Sequence, residues 1–245
     1  MEKRRSKGLL YRTAILLLLA IMAFCGYKIV RILYDYHVGS RVYSDVAKDA
    51  NVKVDTKQTR IDWKKLKAKN DDVVAWLYSA GSVINYPVVQ GRDNKYYLHR
   101  LINGEYNFKG TLFVDYRVEK PFKNFNTIIY GHRMKDGSMF KPLVRYDDAG
   151  YYKKHKLMRL ATPDRNYDLI IFAMARIGID SKLYKLDFHD DAERQEFIDG
   201  IRKVSAIDTG VSVTKKDKIV MMSTCTEELD DKRIVVFGKL KKILD

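Results

Sequence analysis

The pattern of apolar and polar residues divides the chain into an apolar N-terminal segment, a polar stretch and a region rich in predicted strands. An uncharged, mostly apolar run extends from Thr13 to Tyr27 and continues with apolar character to Val30. Its length reaches the lower limit for a membrane-spanning helix. Polar, helix-tolerant sequence follows. We therefore predict a basic tail and signal anchor in residues 1–30, and a stalk with short helices in residues 31–69.

The charges that flank the apolar run predict its orientation. Four basic residues precede it, at Lys3, Arg4, Arg5 and Lys7. Such flanks stay in the cytoplasm, so we expect a single-pass protein of the cell membrane with a cytoplasmic N-terminus and an extracellular domain. A cleaved signal peptide is the alternative, because Ala20 and Ala23 are spaced like a cleavage site. The apolar character that continues beyond Ala23 favours the anchor.

Short apolar segments separated by turns predict strands throughout residues 70–245. Val73–Gln90 fits two strands that turn at Gly81, and Asn126–His132 fits another. Apolar residues at helical spacing predict one long helix over Asp187–Val204. Strands with short connections and a single long helix favour an antiparallel barrel or sandwich.

The stretch from Lys218 to Leu240 brings a nucleophile and a cation together. Its two apolar runs, Ile219–Met222 and Ile234–Phe237, predict neighbouring strands joined by a polar loop. Cys225 follows the first run and Arg233 precedes the second. A thiolate can attack a carbonyl carbon, and a guanidinium can stabilise the resulting oxyanion. This hairpin is therefore a candidate catalytic face.

The composition indicates a globular protein with a basic surface. The 245 residues carry a formal net charge of +15, with 46% hydrophobic and 31% charged residues. Lys and Arg are scattered among acidic residues, which is typical of a solvated surface. The sequence contains no P-loop, zinc-finger spacing or RNA-binding aromatic signature, so we predict no nucleic-acid partner.

Only two cysteines are present, and one of them is a candidate nucleophile. Cys25 falls in the apolar N-terminal run, so no disulfide is expected in the predicted domain. Free cysteines are often small buried apolar residues. Polar neighbours on both sides of Cys225 favour a reactive thiol instead.

One of the five histidines stands out as a possible partner of this thiol. His132 ends a predicted apolar strand and is followed by polar residues and a turn. Catalytic side chains often lie where rigid strands open onto loops. His99, His155 and His189 lie in charged or loop-like contexts, and we predict that they are solvated surface residues.

Several of these segments together resemble the sortase family, and in particular its class B. The resemblance rests on STC at Ser223–Cys225, on the Arg233-Ile-Val-Val that follows, and on IIYGHRMKDGSMF at Ile128–Phe140. It extends over roughly Ile61–Leu240 and includes NYPVVQ, DNKYYL and GTLFVDYR. It implies a mainly β fold: a closed eight-stranded β-barrel in residues 70–245, with an N-terminal helical extension and one long helix before the catalytic strand.

The same resemblance implies roles for individual residues. Cys225 corresponds to the nucleophile, His132 to the general acid and base, and Arg233 to the group that stabilises the oxyanion or the substrate. The TLxTC pattern of the family is met in part, because Met221 and Met222 stand at its first two positions. Five residues are candidates for substrate binding: Asn94, Leu98, Tyr184, Ser223 and Thr224.

The implied activity is that of a cysteine transpeptidase. Such an enzyme cleaves a C-terminal sorting motif of a secreted protein after Thr, forms a thioacyl-enzyme, and transfers the protein to an amine of a cell-wall precursor. This chemistry requires no metal or other cofactor. Motifs of the Asn-Pro-Gln-Thr-Asn and Leu-Pro-x-Thr-Gly types both stay open. The alternatives are a cysteine peptidase that only hydrolyses its substrate and a non-catalytic, basic wall-binding membrane protein.

Overall fold

The computed structural model describes the backbone of residues 2–55, 59–225 and 232–243. Side chains are described for residues 11–55, 59–224 and 232–243. The chain divides into two compact units, residues 1–41 and 42–245. The second unit contains all of the predicted site residues.

A long helix, α1, comprises Glu2–Asp49 and contains the apolar N-terminal run. From Tyr11 onward it is long and apolar enough, by length and composition, to cross a membrane. Large apolar side chains in this part, such as Leu16 and Leu18, are exposed. Among the residues that the structure describes, this is the one candidate membrane span. The helix includes the predicted anchor and the first part of the predicted stalk.

The other described α-helices are shorter than α1, and aspartates cap their N-termini. The α-helices are α2 (Trp63–Lys69), α3 (Ala149–His155) and α4 (Asp191–Val204). Single 3₁₀ segments cover Tyr96–Leu98, Lys141–Asp147 and Lys182–Tyr184. The predicted long helix is confirmed as α4. It begins at Asp191 because the side chain of Asp190 accepts a hydrogen bond from the Glu193 amide at 2.8 Å, which makes Asp190 its N-cap.

In the part of the chain that the structure describes, ten strands form a small sheet and a barrel. The sheet pairs β1 (Lys53–Val54) with β2 (Thr59–Arg60). The barrel consists of β3 (Val73–Tyr78), β4 (Asn85–Val89), β5 (Leu112–Val114), β6 (Asn126–His132), β7 (Leu157–Ala161), β8 (Asn166–Gly178), β9 (Lys218–Cys225) and β10 (Lys232–Lys242).

The barrel strands are ordered β10–β8–β7–β3–β4–β5–β6–β9, and β9 pairs with β10 to close the barrel. The predicted closed eight-stranded barrel is therefore confirmed. The expected antiparallel arrangement is wrong at two places, because β4 pairs with β5 and β6 pairs with β9 in parallel. Parallel neighbours need long crossover connections. The connection from β6 to β9 includes β7, β8 and α4, which are therefore part of one long crossover.

Strand β6 runs through the interior and ends at the candidate histidine. All seven of its residues are buried. Gly131 is required there by close packing, because a Cβ atom at this position would meet the side chain of Leu112 and would lie 2.7 Å from Cδ2 of Phe140. The absence of a side chain at Gly131 lets β6 pass these neighbours and present His132 at its end.

Candidate active site

Three adjacent strands bring the three predicted catalytic residues to one edge of the barrel. In the parallel pairing of β6 with β9, His132 and Cys225 are direct Cα partners. In the antiparallel pairing of β9 with β10, Ser223 lies opposite Val235. Two residues beyond this pair are Cys225 on β9 and Arg233 on β10. The backbone register therefore sets Cys225 between His132 and Arg233.

At this edge the structure describes the backbone of Cys225 and the side chains of His132 and Arg233. The side chain of Cys225 and the predicted loop after it, residues 226–231, lie outside the described residues. His132 is 5% exposed and Arg233 is partly exposed. A guanidinium stays charged at physiological pH and offers five N–H donors in a fixed, planar arrangement. Arg233 is therefore chemically suited to bind a substrate carbonyl or an oxyanion.

A groove of about 540 Å³ opens in front of these residues. His132 and Arg233 line it together with three of the predicted substrate residues, Asn94, Leu98 and Tyr184. Its volume is in the range of pockets that hold small ligands or a few residues of a peptide. The structure thus brings five of the eight predicted site residues together in one groove.

The imidazole of His132 is held by a backbone carbonyl. Its Nε2 atom lies 2.7 Å from the carbonyl oxygen of Leu98. A carbonyl oxygen only accepts hydrogen bonds, so Nε2 carries a hydrogen and donates it. Nδ1 is then the ring nitrogen that gains and loses a proton. This contact orients the ring in the way that a third group orients the base in many nucleophile–base pairs.

Two further predicted residues lie behind the groove wall. The hydroxyl groups of Ser223 and Tyr184 lie 2.9 Å apart, so the buried serine contacts a side chain that lines the groove. Thr224 is buried, and its Oγ1 accepts a hydrogen bond from the Ile234 amide at 3.1 Å. This contact joins β9 to β10. For Thr224 the described contacts are structural, and its role in substrate binding stays a prediction.

A buried carboxylate shapes the opposite part of the groove. Asp115 accepts hydrogen bonds from Nε and Nη2 of Arg117, at 2.9 and 2.8 Å, and from the hydroxyl of Tyr130 at 3.1 Å. Burial alone would raise the pKa of Asp115, but the hydrogen bonds from Arg117 outweigh it and hold the pKa below its usual value. Arg117 and Tyr130 both line the groove, and the Tyr130 ring stacks on Tyr184 at 6.4 Å.

Sequence reasoning missed several of these lining residues. Arg117 and Tyr130 lie within segments that carry the family resemblance, GTLFVDYR and IIYGH, but nothing local marks them as groove residues. His99 also lines the groove, where it is partly exposed and its ring lies 5.6 Å from that of His132. The prediction of a solvated surface residue is wrong for His155, which is buried and whose pKa burial lowers. His189 is exposed, as predicted.

The described residues contain no group of three or more His, Cys, Asp or Glu side chains placed to hold a metal ion.

Comparison with known proteins identifies the family. The model of the sortase domain matches residues 79–241, which include β6, β9 and all of β10 except its last residue. The chain belongs to the sortase family. This sortase is 33% identical to sortase B of Staphylococcus aureus over 243 residues, covering 98% of this chain and 99% of the relative. It is also 33% identical to sortase B of Listeria monocytogenes over 240 residues, covering 96% and 98%.

Solved structures agree with this assignment to class B. Sortase B from Bacillus anthracis, in complex with AAEK1, superposes with a TM-score of 0.78 at 35% identity, covering 86% of this chain and 100% of that one. A sortase B–substrate complex from Staphylococcus aureus superposes with a TM-score of 0.72 at 35% identity, covering 75% and 86%. Sortases are cysteine transpeptidases, and the chain is an enzyme of this class.

Proposed function

We propose that Cys225 is the nucleophile of this transpeptidase, with His132 as general acid and base and Arg233 as the oxyanion-stabilising group. The observation that carries the proposal is the strand register, which sets the backbone of Cys225 between His132 on β6 and Arg233 on β10, and the side chains of these two neighbours line the groove. A cation on each side of a thiol favours its thiolate form.

The proposed reaction proceeds in two steps. The Cys225 thiolate attacks the carbonyl carbon of a Thr in the sorting motif, and the negative charge that develops on oxygen is stabilised by Arg233. Protonated His132 gives its proton to the leaving amine as the C–N bond breaks, and a thioacyl-enzyme remains. An incoming amine then attacks this thioester, neutral His132 accepts its proton, and the C–S bond breaks, which restores the Cys225 thiolate and the protonated imidazole.

We propose that the substrates are secreted proteins that carry a C-terminal sorting motif, and that the acceptor is an amine of a cell-wall precursor. A sortase B structure in complex with a substrate and another in complex with triglycine support this choice for a related enzyme. In this chain, Asn94, Leu98 and Tyr184 would contact the motif, because they line the same groove as the catalytic side chains. Ser223 would act through its contact with Tyr184.

We also propose a location for the enzyme. The exposed apolar side chains of α1 support a membrane anchor in residues 1–30 with the basic tail in the cytoplasm. Residues 31–69 would form the stalk and N-terminal helices, and residues 70–245 the catalytic domain outside the cell. This arrangement would place a single cysteine, Cys225, outside the membrane.

The decisive experiment uses the full chain in detergent with peptides of the Asn-Pro-Gln-Thr-Asn and Leu-Pro-x-Thr-Gly types. Mass spectrometry should detect cleavage after Thr and an acyl adduct on the peptide that contains Cys225. Addition of triglycine should yield a ligated product, whereas a hydrolase would give the same products with and without this amine. Cleavage by a Cys225→Ala variant would overturn the assignment of the nucleophile.

A further inference from the structure

Tyr43, on the C-terminal part of α1, is buried against the segment that precedes β5. It is 4% exposed, its hydroxyl donates a hydrogen bond to the carbonyl of Gly110, and the same hydroxyl lies 3.0 Å from Oγ1 of Thr111. Burial raises the pKa of Tyr43, so the phenol keeps its proton and stays a donor at physiological pH. The edge of its ring also packs on Tyr86, with 5.3 Å between ring centroids.

Thr111 connects this contact to the turn that carries Leu98. Its amide donates to the carbonyl of Tyr97 at 3.0 Å, and its Oγ1 donates to the carbonyl of Arg100 at 2.8 Å. These two acceptors lie on either side of Leu98 in the chain. Thr111 therefore fixes the ends of the short segment in which the Leu98 carbonyl points toward His132.

Gly110 touches the Leu98 carbonyl directly. A Cβ atom at Gly110 would collide with the Leu98 oxygen and would lie 2.6 Å from the Tyr97 oxygen. Gly110 also has φ +58°, in the left-handed region that favours glycine. Because the two backbones are in contact, a shift of Gly110 moves the oxygen that accepts from Nε2 of His132.

We propose that Tyr43 is a positioning residue for the catalytic histidine, acting through Gly110, Thr111 and the carbonyl of Leu98. The inference rests on the proposed role of His132 and extends it to a residue on the helix that continues from the apolar N-terminal run. A hydrogen bond from the imidazole to the Leu98 carbonyl favours the protonated ring. A protonated ring next to Cys225 favours the thiolate. Loss of the Tyr43 hydroxyl should therefore raise the pH at which the thiol ionises.

The test measures the rate at which iodoacetamide alkylates Cys225 as a function of pH, in the full chain in detergent. Mass spectrometry of the peptide that contains Cys225 separates this signal from alkylation of Cys25. We expect Tyr43→Phe to move the midpoint of the profile about half a pH unit upward and to lower kcat of peptide cleavage about three- to tenfold with little change in KM. Thr111→Val removes the hydroxyl that lies beside that of Tyr43 and donates to the Arg100 carbonyl, so it should shift the midpoint in the same direction.

Tyr146→Phe is the matched control. Tyr146 is fully buried and its hydroxyl donates to the carbonyl of His155 at 2.8 Å, but it does not line the groove. Loss of the Tyr146 hydroxyl removes a similar buried hydrogen bond but leaves the contacts of the Leu98 segment intact, so the midpoint of the alkylation profile should stay at the wild-type value. Should Tyr43→Phe fold poorly, as judged by circular dichroism, Thr111→Val decides the question.

The outcomes separate this inference from the proposed function. A wild-type midpoint in both Tyr43→Phe and Thr111→Val overturns the inference. An equal shift in Tyr146→Phe also overturns it, because the effect would then be general loosening of the core. If His132→Asn leaves the profile of the otherwise wild-type chain unchanged, the proposed thiol–imidazole pair is wrong, whatever the Tyr43 variant does.

Discussion

At the scale of single residues, Asp115 shows how a charge can be kept in the interior beside the groove. The carboxylate is fully buried, yet its hydrogen bonds come from a guanidinium and a phenol that both line the groove. A buried charge is tolerated only when it is paired and hydrogen-bonded. Asp115 therefore holds Arg117 and Tyr130 in position, and these present a cation and an aromatic ring to the groove.

The lowered pKa of Asp115 predicts how stability depends on pH. The folded protein keeps this carboxyl ionised below its usual value of 3.8, at a pH where the unfolded chain already binds a proton. Its contribution is complete above the unfolded pKa and is lost as the pH falls through the folded pKa. We expect Asp115→Asn to lower the free energy of unfolding by about 2 kcal/mol at pH 7. Urea unfolding from pH 7 to pH 3 should show this difference shrinking in acid.

An exposed carboxylate provides the control for that prediction. Asp164 pairs with Lys123 at 2.6 Å, but both side chains are more than half exposed. Surface ion pairs contribute little, because water and salt screen them. Asp164→Asn should unfold at the wild-type urea concentration at pH 7. A difference between wild type and Asp115→Asn that stays constant from pH 7 to pH 3 would contradict the titration of Asp115.

At the scale of secondary-structure elements, a buried ion pair fastens the segment before β5 to the turn after β6. Nζ of Lys109 lies 2.8 Å from Oδ2 of Asp136, with the lysine side chain 1% exposed and the aspartate 26% exposed. Asp136 also accepts hydrogen bonds from the amide and hydroxyl of Ser138. Burial alone would raise the pKa of Asp136, but the hydrogen bonds from Lys109 and Ser138 keep the pKa below its usual value. The pair therefore joins Lys109, which is next to Gly110 and its close approach to Leu98, to Asp136 in the turn that follows His132.

The two partners of this pair should differ in the cost of their removal. Asp136→Asn leaves an ammonium group buried without its carboxylate, so we expect a loss of about 3 kcal/mol or more in unfolding free energy. Lys109→Met places an apolar chain in the same buried space and leaves a carboxylate that Ser138 and water can still solvate. Its cost should be clearly smaller. The Lys109→Met/Asp136→Asn double variant should recover part of the loss, and denaturant unfolding of all four proteins measures the coupling. Equal losses in the two single variants would contradict this account.

The strands and helices show how much of the fold could be predicted from the sequence. Apolar runs and helical spacing are local signals, and they located β3, β4, β6, β9, β10 and α4. The parallel pairing of β6 with β9 has no local signal, because Asn126 and Ile219 are joined by a crossover that contains several other elements. That pairing makes His132 a neighbour of Cys225. The resemblance to sortases implied this proximity, whereas residue patterns alone left the pairing open.

The histidines show the same limit for the candidate site. His132 could be singled out because it ends an apolar strand. His99 follows a single 3₁₀ turn in a charged stretch, and its place in the groove is next to His132, which is remote in sequence. Tyr43 was hidden for a similar reason, since its partners Gly110 and Thr111 are remote in sequence. Contacts of this kind follow from barrel closure and cannot be read from periodicity.

At the scale of the whole molecule, the division of the chain after Arg41 separates the candidate anchor from the barrel unit. Large apolar side chains of α1 from Tyr11 to Tyr34 are exposed, whereas Tyr43 and Val46 of the helix, and Ala50 directly after it, are buried within the second unit. The helix therefore has two kinds of surface along its length. The first is suited to a lipid environment, and the second belongs to the hydrophobic core of the enzyme.

Two truncations should distinguish these parts of the helix. Removal of residues 1–30 takes away the exposed apolar run and keeps Tyr43, so the protein should stay in the soluble fraction without detergent. Its Tm should lie within about 3 °C of the full chain, because a change below about 1 kcal/mol shifts Tm by only a few degrees in a domain of this size. Removal of residues 1–50 also deletes the three buried residues, with an expected cost of about 3 kcal/mol or more.

The second truncation should therefore lower Tm by about 10 °C and slow peptide cleavage, since the hydroxyl that orients the Leu98 segment is also gone. Thermal unfolding and kcat, measured on both truncated proteins and on the full chain in the same detergent, test the two effects together. If the protein without residues 1–50 matched the protein without residues 1–30 in Tm and kcat, α1 would contribute nothing to the barrel. A protein without residues 1–30 that still required detergent would contradict the proposed anchor. These predictions assign membrane attachment to the first part of α1 and support of His132, the proposed general acid and base, to its last part.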